Sequence, residues 1–363
     1  MIFRGALGKM PHMNSIALWF EKVGKPYPWR SSRTPYSVWV SEVMLQQTRA
    51  EVVIPYFERW MKRYPTVDSL SQATFDEVIS LWEGLGYYSR ARNLLSGAKQ
   101  VVEEFEGNLP DTFEALLKIK GIGRYTAGAI LAFGFGKRAA FVDGNIARVM
   151  ARMFSFEECV IKAGKKIEKI VDEWLPNEKA PLVMEGLIEL GQTICKKKPI
   201  CEICPLQDQC IAYQKGRQEE LPVRLKKETL IPLMRQVAAI MCNGYTLLKK
   251  NEKGKIMADL WEFPYIECDE DATLAGLIRR FPLKLELEMI LPRVVHHFTK
   301  YKATLMPYLF QTGQKGEVEG FVWVSLEEMK GLPFSAGHRK IKEMISDKGK
   351  GKGRGKFNEE ILG

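Results

Sequence analysis

Between residues 14 and 218 apolar side chains recur every three or four positions, the period of a helix with one buried face. The first such helix should be capped by Asn14, carries Ile16, Leu18, Trp19, Phe20 and Val23, and stops at Gly24. Thr34-Pro35 predicts another start: the threonine caps, and proline occupies the first helical position, where its missing N–H costs nothing. Further periodic segments fall at about 51–63, 75–83, 89–105, 112–119, 125–134, 145–154, 165–175 and 181–194. Residues 219–232, EELPVRLKKETLIP, break the pattern with two prolines and mixed charge, and are expected to form a linker. Beyond it the texture turns to short runs rich in β-branched and aromatic residues: 236–242, 245–249, 293–298, 302–310 and 320–324. Helices are expected near 271–280 and 337–346, so residues 233–345 read as a smaller α+β domain. No internal repeat is visible.

Composition adds bounds. A chain of 363 residues suggests two or three domains, and 46% hydrophobic with 27% charged residues excludes a fibrous or disordered protein. The longest apolar stretch, 127–136, is too short to span a bilayer, and Arg4, Gly5 and Gly8 interrupt the N-terminal one. A cytoplasmic location is the expectation. A net charge of +10 leans toward a polyanionic partner. The tail from 346 to 363 includes five positive charges in residues 348–356, alternating with glycine, and reads as disordered; residues 1–13 read as an extension.

Four segments carry candidate chemistry. Gly121-Ile122-Gly123, between two predicted helices, allows a tight turn, and the N–H groups opening the second helix suit a DNA phosphate. Asp143, in VDGN at 142–145, stands at a helix N-cap, either as a plain cap or as a carboxylate held ionised by dipole and backbone donors. Glu42, in SEVMLQQT at 41–48, is flanked on its helix by Val38 and Leu45, where burial can raise its pKa as a general acid needs. Nearby glutamine amides could hydrogen-bond base edges. Finally, Cys195, Cys201, Cys204 and Cys210 place four thiols within sixteen residues. Such clustering indicates a metal site rather than disulfides, and leaves zinc and an iron–sulfur cluster both open. Lys196, Lys197 and Lys198 in its first loop suggest a phosphate-facing surface.

Taken together, these segments resemble the helix–hairpin–helix DNA glycosylases of the endonuclease III superfamily. Within it PWR at 28–30, SEVMLQQT, GLGYYSRARNL at 84–95, VDGN and IELG…C at 188–195 are similar to the MutY adenine glycosylases. LWEFP at 260–264 and the strand containing His297-Phe298 resemble that family's Nudix-like C-terminal domain. The resemblance implies a mainly α N-terminal helix–hairpin–helix glycosylase domain over 14–218 with an iron–sulfur loop at 195–210, followed by an α+β Nudix-like lesion-recognition domain. It implies a [4Fe–4S] cluster on the four cysteines, and double-stranded DNA carrying adenine opposite 8-oxoguanine or guanine as partner, bound by a monomer.

The same resemblance assigns roles. Glu42 would protonate adenine N7, Asp143 would stabilise or trap the sugar cation, Asn145 would orient Asp143 or the sugar, and Tyr125 would hydrogen-bond near Asp143. Trp29, Leu45 and Glu185 would line the adenine pocket. Arg30 and Thr48 would contact DNA, Gln47 and Tyr87 would meet the base left unpaired, and Phe298, Thr299 and Lys300 would read the lesion. Bifunctional relatives carry a lysine where this chain has Tyr125, which cannot form a Schiff base, so the expected enzyme is monofunctional. Two departures from the family stand out, and a separate absence implies that the second domain binds and does not hydrolyse nucleotides. The first cysteine gap is five residues where the family has six, Phe298-Thr299-Lys300 replaces Phe-Ser-His, and no Nudix box occurs in 233–345. Cys159, Cys242 and Cys268 are expected to be plain thiols. The alternatives are a glycosylase/lyase on oxidised pyrimidines, a non-catalytic DNA-binding protein with a structural metal, and a Nudix hydrolase with a helical arm.

Overall fold

The structure is a computed structural model. It describes residues 13–348 except 32, 161, 224–229, 253–256, 258, 269–272 and 299. Most of the N-terminal extension, the middle of the linker, Thr299 and the basic tail beyond 348 therefore lie outside the described residues. The chain divides into two compact units between residues 226 and 227.

The first unit is helical. Helix α1 (Asn14–Val23) begins one residue earlier than expected: Met13 holds the cap position without a side-chain bond, so Asn14 is the first helical residue and not the cap. Helix α2 (Pro28–Ser31), a single turn, leads to α3 (Pro35–Leu45). As the sequence predicts, Thr34 caps α3, with Ser37 bonding back in a reciprocal box. Every residue of α3 from Tyr36 to Met44 is buried, which makes it the central helix of the unit. Around it run α4 (Ala50–Arg63), α5 (Val67–Ser71), α6 (Phe75–Trp82), α7 (Ser89–Phe105), α8 (Phe113–Leu116), α9 (Arg124–Ala129) with a π-helical turn at Ile130–Gly134, α10 (Gly144–Met153), α11 (Gly164–Trp174), α12 (Ala180–Thr193) and α13 (Ile211–Gln214). Trp39, Trp60 and Trp82 fill the centre with no measurable exposure. Close approaches need glycine. A Cβ at Gly97 of α7 would stand 2.6 Å from the Lys120 carbonyl, and one at Gly191 of α12 would stand 2.6 Å from Asn145 Cβ.

In the second unit eight strands form a mixed sheet. They are β1 (Ile231–Cys242), β2 (Tyr245–Lys250), β3 (Trp261–Glu262), β4 (Tyr265–Cys268), β5 (Glu286–Ile290), β6 (Val294–Phe298), β7 (Tyr301–Gln311) and β8 (Val322–Ser325). Strand β1 starts inside the stretch expected to be linker, because Ile231 to Met241 pair in parallel with Tyr301 to Gln311 of β7. Its side chains alternate between two cores: Val237, Ala239 and Met241 on one face, Ala238 and Ile240 on the other. Helix α16 (Ala336–Lys348) covers the first through Ile341 and Ile345; α14 (Leu274–Ile278) covers the second through Leu277. A short helix, α15 (Leu326–Gly331), follows β8.

Candidate active site

A cleft of about 890 Å³ opens in the helical unit between the end of α3, the start of α10 and the middle of α12. Ten of the residues singled out in the sequence line it: Trp29, Arg30, Glu42, Leu45, Gln47, Thr48, Tyr125, Asp143, Asn145 and Glu185. Tyr87, Gly121 and Gly123 are not among its walls. Tyr87 is 57% exposed on the loop before α7, and its neighbour Tyr88 packs against the core.

Glu42 is buried at the end of α3. Only 7% of it is exposed, and burial pushes its pKa up to about 7, with the Asp143 and Glu185 charges raising it further and a Tyr125 bond opposing. That bond corrects one expectation: the Tyr125 hydroxyl donates to Glu42 Oε2 at 2.6 Å, instead of binding at Asp143. The T-shaped contact of Tyr125 with Phe141 fixes its ring. Burial also raises the Tyr125 pKa, so the phenol remains a donor.

Asp143 takes the cap position the sequence assigns it. As N-cap of α10, its Oδ1 accepts from the Asn145 and Ile146 backbone N–H groups at 2.9 and 2.7 Å, while Oδ2 accepts from the Asn145 amide at 2.7 Å. Burial raises its pKa; those donors and the Arg148 cation pull the other way. Two carboxyls thus face one cleft in different settings. One is held by backbone donors at a helix N-terminus, and the other by little besides a phenol.

Helix α10 continues this network away from the cleft. Arg148 donates to Asn145 Oδ1 at 2.9 Å, to the Gly191 carbonyl at 2.7 Å and to the Cys195 carbonyl at 2.7 Å. One turn later, Arg152 donates to Cys195 Sγ at 3.2 Å and to the Lys196 and Lys197 carbonyls. The four cysteines sit together on this loop, all unpaired and partly buried. Burial pushes the Cys204 thiol up to about 12, with Cys195, Cys210 and Cys201 adding to the rise. Cys201 and Cys210 are raised by burial and by sulfur neighbours in the same way. Lys196, Lys197 and Lys198 are exposed around it. Among the described residues, no three His, Cys, Asp or Glu side chains converge as ligands of a single ion.

Sequence reasoning named Arg30 and Glu185 but missed their ion partners Glu189 and Arg33, and it missed Arg90. Arg30 bonds Glu185 at 2.9 Å and Glu189 at 3.2 Å, and Arg33 takes the other oxygen of Glu185 at 2.7 Å. Arg90, in GLGYYSRARNL, is 9% exposed and binds six oxygens across two loops. The available signal was an arginine at a core-facing helical position, which a search for apolar periodicity passes over.

On the hairpin, Gly121 takes a left-handed φ of 86°, and a Cβ there would meet Asn93 Cβ at 2.8 Å. Gly123 caps α9 with open space beside it, leaving its backbone accessible to a large ligand. In the second unit Phe298 ends β6, stacked on His296 and covered by the Arg235 guanidinium. Lys300, exposed, follows it across undescribed Thr299.

Comparisons with known proteins agree with this geometry. Residues 40–177 match the HhH-GPD superfamily of base excision DNA repair proteins, and residues 236–344 match the NUDIX domain. The chain is 34% identical to an adenine DNA glycosylase of Buchnera aphidicola, over 79% of this chain and 83% of that one. It is 30% identical to the mouse adenine DNA glycosylase over 96% of this chain and 80% of that one. The solved structure of a thermostable thymine-DNA glycosylase superposes with a TM-score of 0.53 at 28% identity, covering 56% of this chain and 95% of the other. Helical unit, mixed Nudix-like sheet and paired carboxyls thus accompany similarity along most of the sequence, and the chain belongs to the adenine DNA glycosylase family.

Proposed function

We propose that this glycosylase removes adenine standing opposite 8-oxoguanine or guanine in duplex DNA and leaves the strand intact. The observation that carries the reading is Glu42: a buried carboxyl at about 7, about half protonated at neutral pH where an ordinary glutamate is almost wholly ionised, in a cleft that also holds Asp143. The adenine must leave the stack to reach it. Glu42 gives its proton to N7, the C1′–N9 bonding pair departs with the base, and Asp143 stabilises the cationic sugar that remains. Attack at C1′ by water, or by Asp143 followed by water, completes the abasic site. Asn145 holds the Asp143 carboxylate, and Trp29, Leu45 and Glu185 enclose the base, with Arg30 fixing Glu185. Tyr125 keeps Glu42 oriented and offers no amine, which supports base release without strand cleavage.

For binding, Gly121 and Gly123 present the hairpin backbone to a phosphate, Arg30 and Thr48 lie at the cleft, and Gln47 and Tyr87 meet the opposite base. Phe298, Thr299 and Lys300 are assigned to the lesion, with Thr299 accepting the N7–H that only 8-oxoguanine has. The cysteine loop fits a [4Fe–4S] cluster. Its donor set is wholly thiol, the sulfurs perturb one another, and Arg152 supplies an N–H to Cys195 Sγ. Positive charge from iron would let these thiols ionise, and the cluster would then hold Lys196–Lys198 as a phosphate-facing edge. Among the described residues no helix is long and apolar enough to cross a membrane. On this reading the enzyme acts as a monomer on DNA in the cytoplasm, at the nucleoid.

The test is base release from duplexes carrying adenine opposite 8-oxoguanine, guanine or thymine, followed by alkali. Adenine release with strand breaks only after alkali is the expected result. Equal rates for all three opposite bases would refute the specificity.

A further inference from the structure

Gln47 and Tyr87 are not glycines, yet both hold positive φ, 57° and 49°. Such conformations persist only where the surroundings hold them. One guanidinium brackets both. Arg90, in the first turn of α7, donates through Nη1 to the carbonyls of Val43, Met44 and Gln46 at 2.8, 2.9 and 2.5 Å. Through Nη2 it donates to the carbonyls of Leu85 and Gly86 at 3.1 and 3.2 Å and to Thr48 Oγ1 at 3.4 Å. The oxygens just before Gln47, just after it and just before Tyr87 therefore share a single planar group. The rings of Tyr87 and Trp82 lie 5.5 and 5.4 Å from that group, and Trp82 Nε1 donates to the Gly86 carbonyl at 3.0 Å.

The clasp also ends α3. Its last carbonyls have no intrahelical partner and no left-handed glycine follows Leu45, so Arg90 takes their place as cap. Val43, whose carbonyl it binds, is the residue after Glu42. The base-opposite loops and the helix bearing the acid are thus fixed to one another through one side chain.

We propose that Arg90 is a positioning residue through which turnover responds to the base opposite adenine: it holds Gln47 and Tyr87 in their left-handed conformations and registers that pair against the Glu42 helix. This rests on the assignment of Gln47 and Tyr87 to the opposite base. A planar fork is required, because two terminal NH2 groups in fixed directions reach two loops at once, whereas a lysine ammonium donates from a single point.

The test is Arg90→Lys in the full-length protein, with single-turnover rates on adenine opposite 8-oxoguanine and opposite guanine. The ratio of the two rates should fall about ten-fold, the scale of a modest misplacement of reacting groups. The pH midpoint set by Glu42 should stay where it is, since its bond to Tyr125 is untouched. Equal loss on both substrates, or a ratio within two-fold of the wild-type one, overturns the proposal; two-fold is about 0.4 kcal/mol. If Arg90→Lys does not fold, Trp82→Phe removes the indole N–H from the Gly86 carbonyl, together with some core packing, and should lower the ratio in the same direction. An unchanged ratio there counts against the clasp. Gln47→Ala and Tyr87→Ala separate the layers: if neither alters the ratio, the opposite-base assignment itself has failed; if they do and Arg90→Lys does not, only the role of Arg90 has.

Discussion

Replacing Glu42 by glutamine removes one titratable proton and little else, because the amide oxygen can still accept from the Tyr125 hydroxyl. The consequences for rate and stability have opposite signs. Base release loses its proton donor and should slow by about 10²–10⁴-fold. Stability should rise at alkaline pH. The carboxyl titrates at about 7 in the fold and near 4.5 outside it. Between those values the folded chain keeps a proton that the unfolded chain has released, so the contribution of Glu42 is full below 4.5 and is lost as pH rises through about 7. At about 1.4 kcal/mol for each tenfold, that gap amounts to about 3 kcal/mol. Glutamine escapes this penalty. For a domain of this size the melting temperature of the variant should exceed that of the wild type by about 6–12 °C at pH 8.5, with the difference smallest near pH 4.5. Single-turnover adenine release from pH 5.5 to 8.5, paired with thermal melts across the same range, measures both effects. A wild-type rate independent of pH, or a variant that releases adenine normally, would refute Glu42 as the acid. A variant no more stable at pH 8.5 would refute its burial as the source of the raised pKa.

Other perturbations probe the neighbouring parts. Tyr125→Phe removes the bond that lowers the Glu42 pKa, so the midpoint of the pH–rate profile should move upward; a midpoint moving downward would exclude that role. Borohydride added during turnover should trap no covalent adduct, and an adduct formed as fast as base is released would contradict monofunctional chemistry. Cys204→Ser should lose absorbance near 400 nm and DNA affinity together, whereas a colourless variant binding DNA as tightly would show that the loop is not an anchor. Lys300→Ala should weaken binding to all duplexes and reduce the salt slope by about one, a result that selective loss for 8-oxoguanine duplexes would overturn.

Much of the helical unit was legible because its signals are local. Thr34-Pro35 starts a helix by side-chain chemistry alone, and the left-handed turn at Gly121 needs backbone freedom that the sequence states openly. Helix α2 is too short for periodicity to register, and β3, with two residues, has no pattern to detect. Strand β1 was truncated because its first residues pair with a strand seventy positions away, information that no window of sequence contains. Within the site the residue identities were readable and the partnerships were not. Tyr125 lies one turn into a helix that could present it to either carboxyl, and only the packing of α3 against α9 sends its hydroxyl to Glu42. The arginines were invisible for a related reason. Arg90, Arg148 and Arg152 act on backbone carbonyls brought together from distant segments, and a carbonyl leaves no trace in the sequence.

The parallel pairing of β1 with β7 bears on how the chain emerges during synthesis. The last helix of the first unit ends at Gln214, so all of its elements are made before β1. Strand β1 is complete at Cys242, yet its parallel partner is not finished until Gln311. At about 5–20 residues per second, the ribosome leaves that edge waiting several seconds. During this interval Val237 to Cys242 form an uninterrupted apolar run with one side unpaired, the setting in which strands recruit neighbouring chains. Premature termination between 243 and 300 would make that state permanent. Such truncated products should aggregate, whereas those ending near residue 223 would lack the exposed strand altogether.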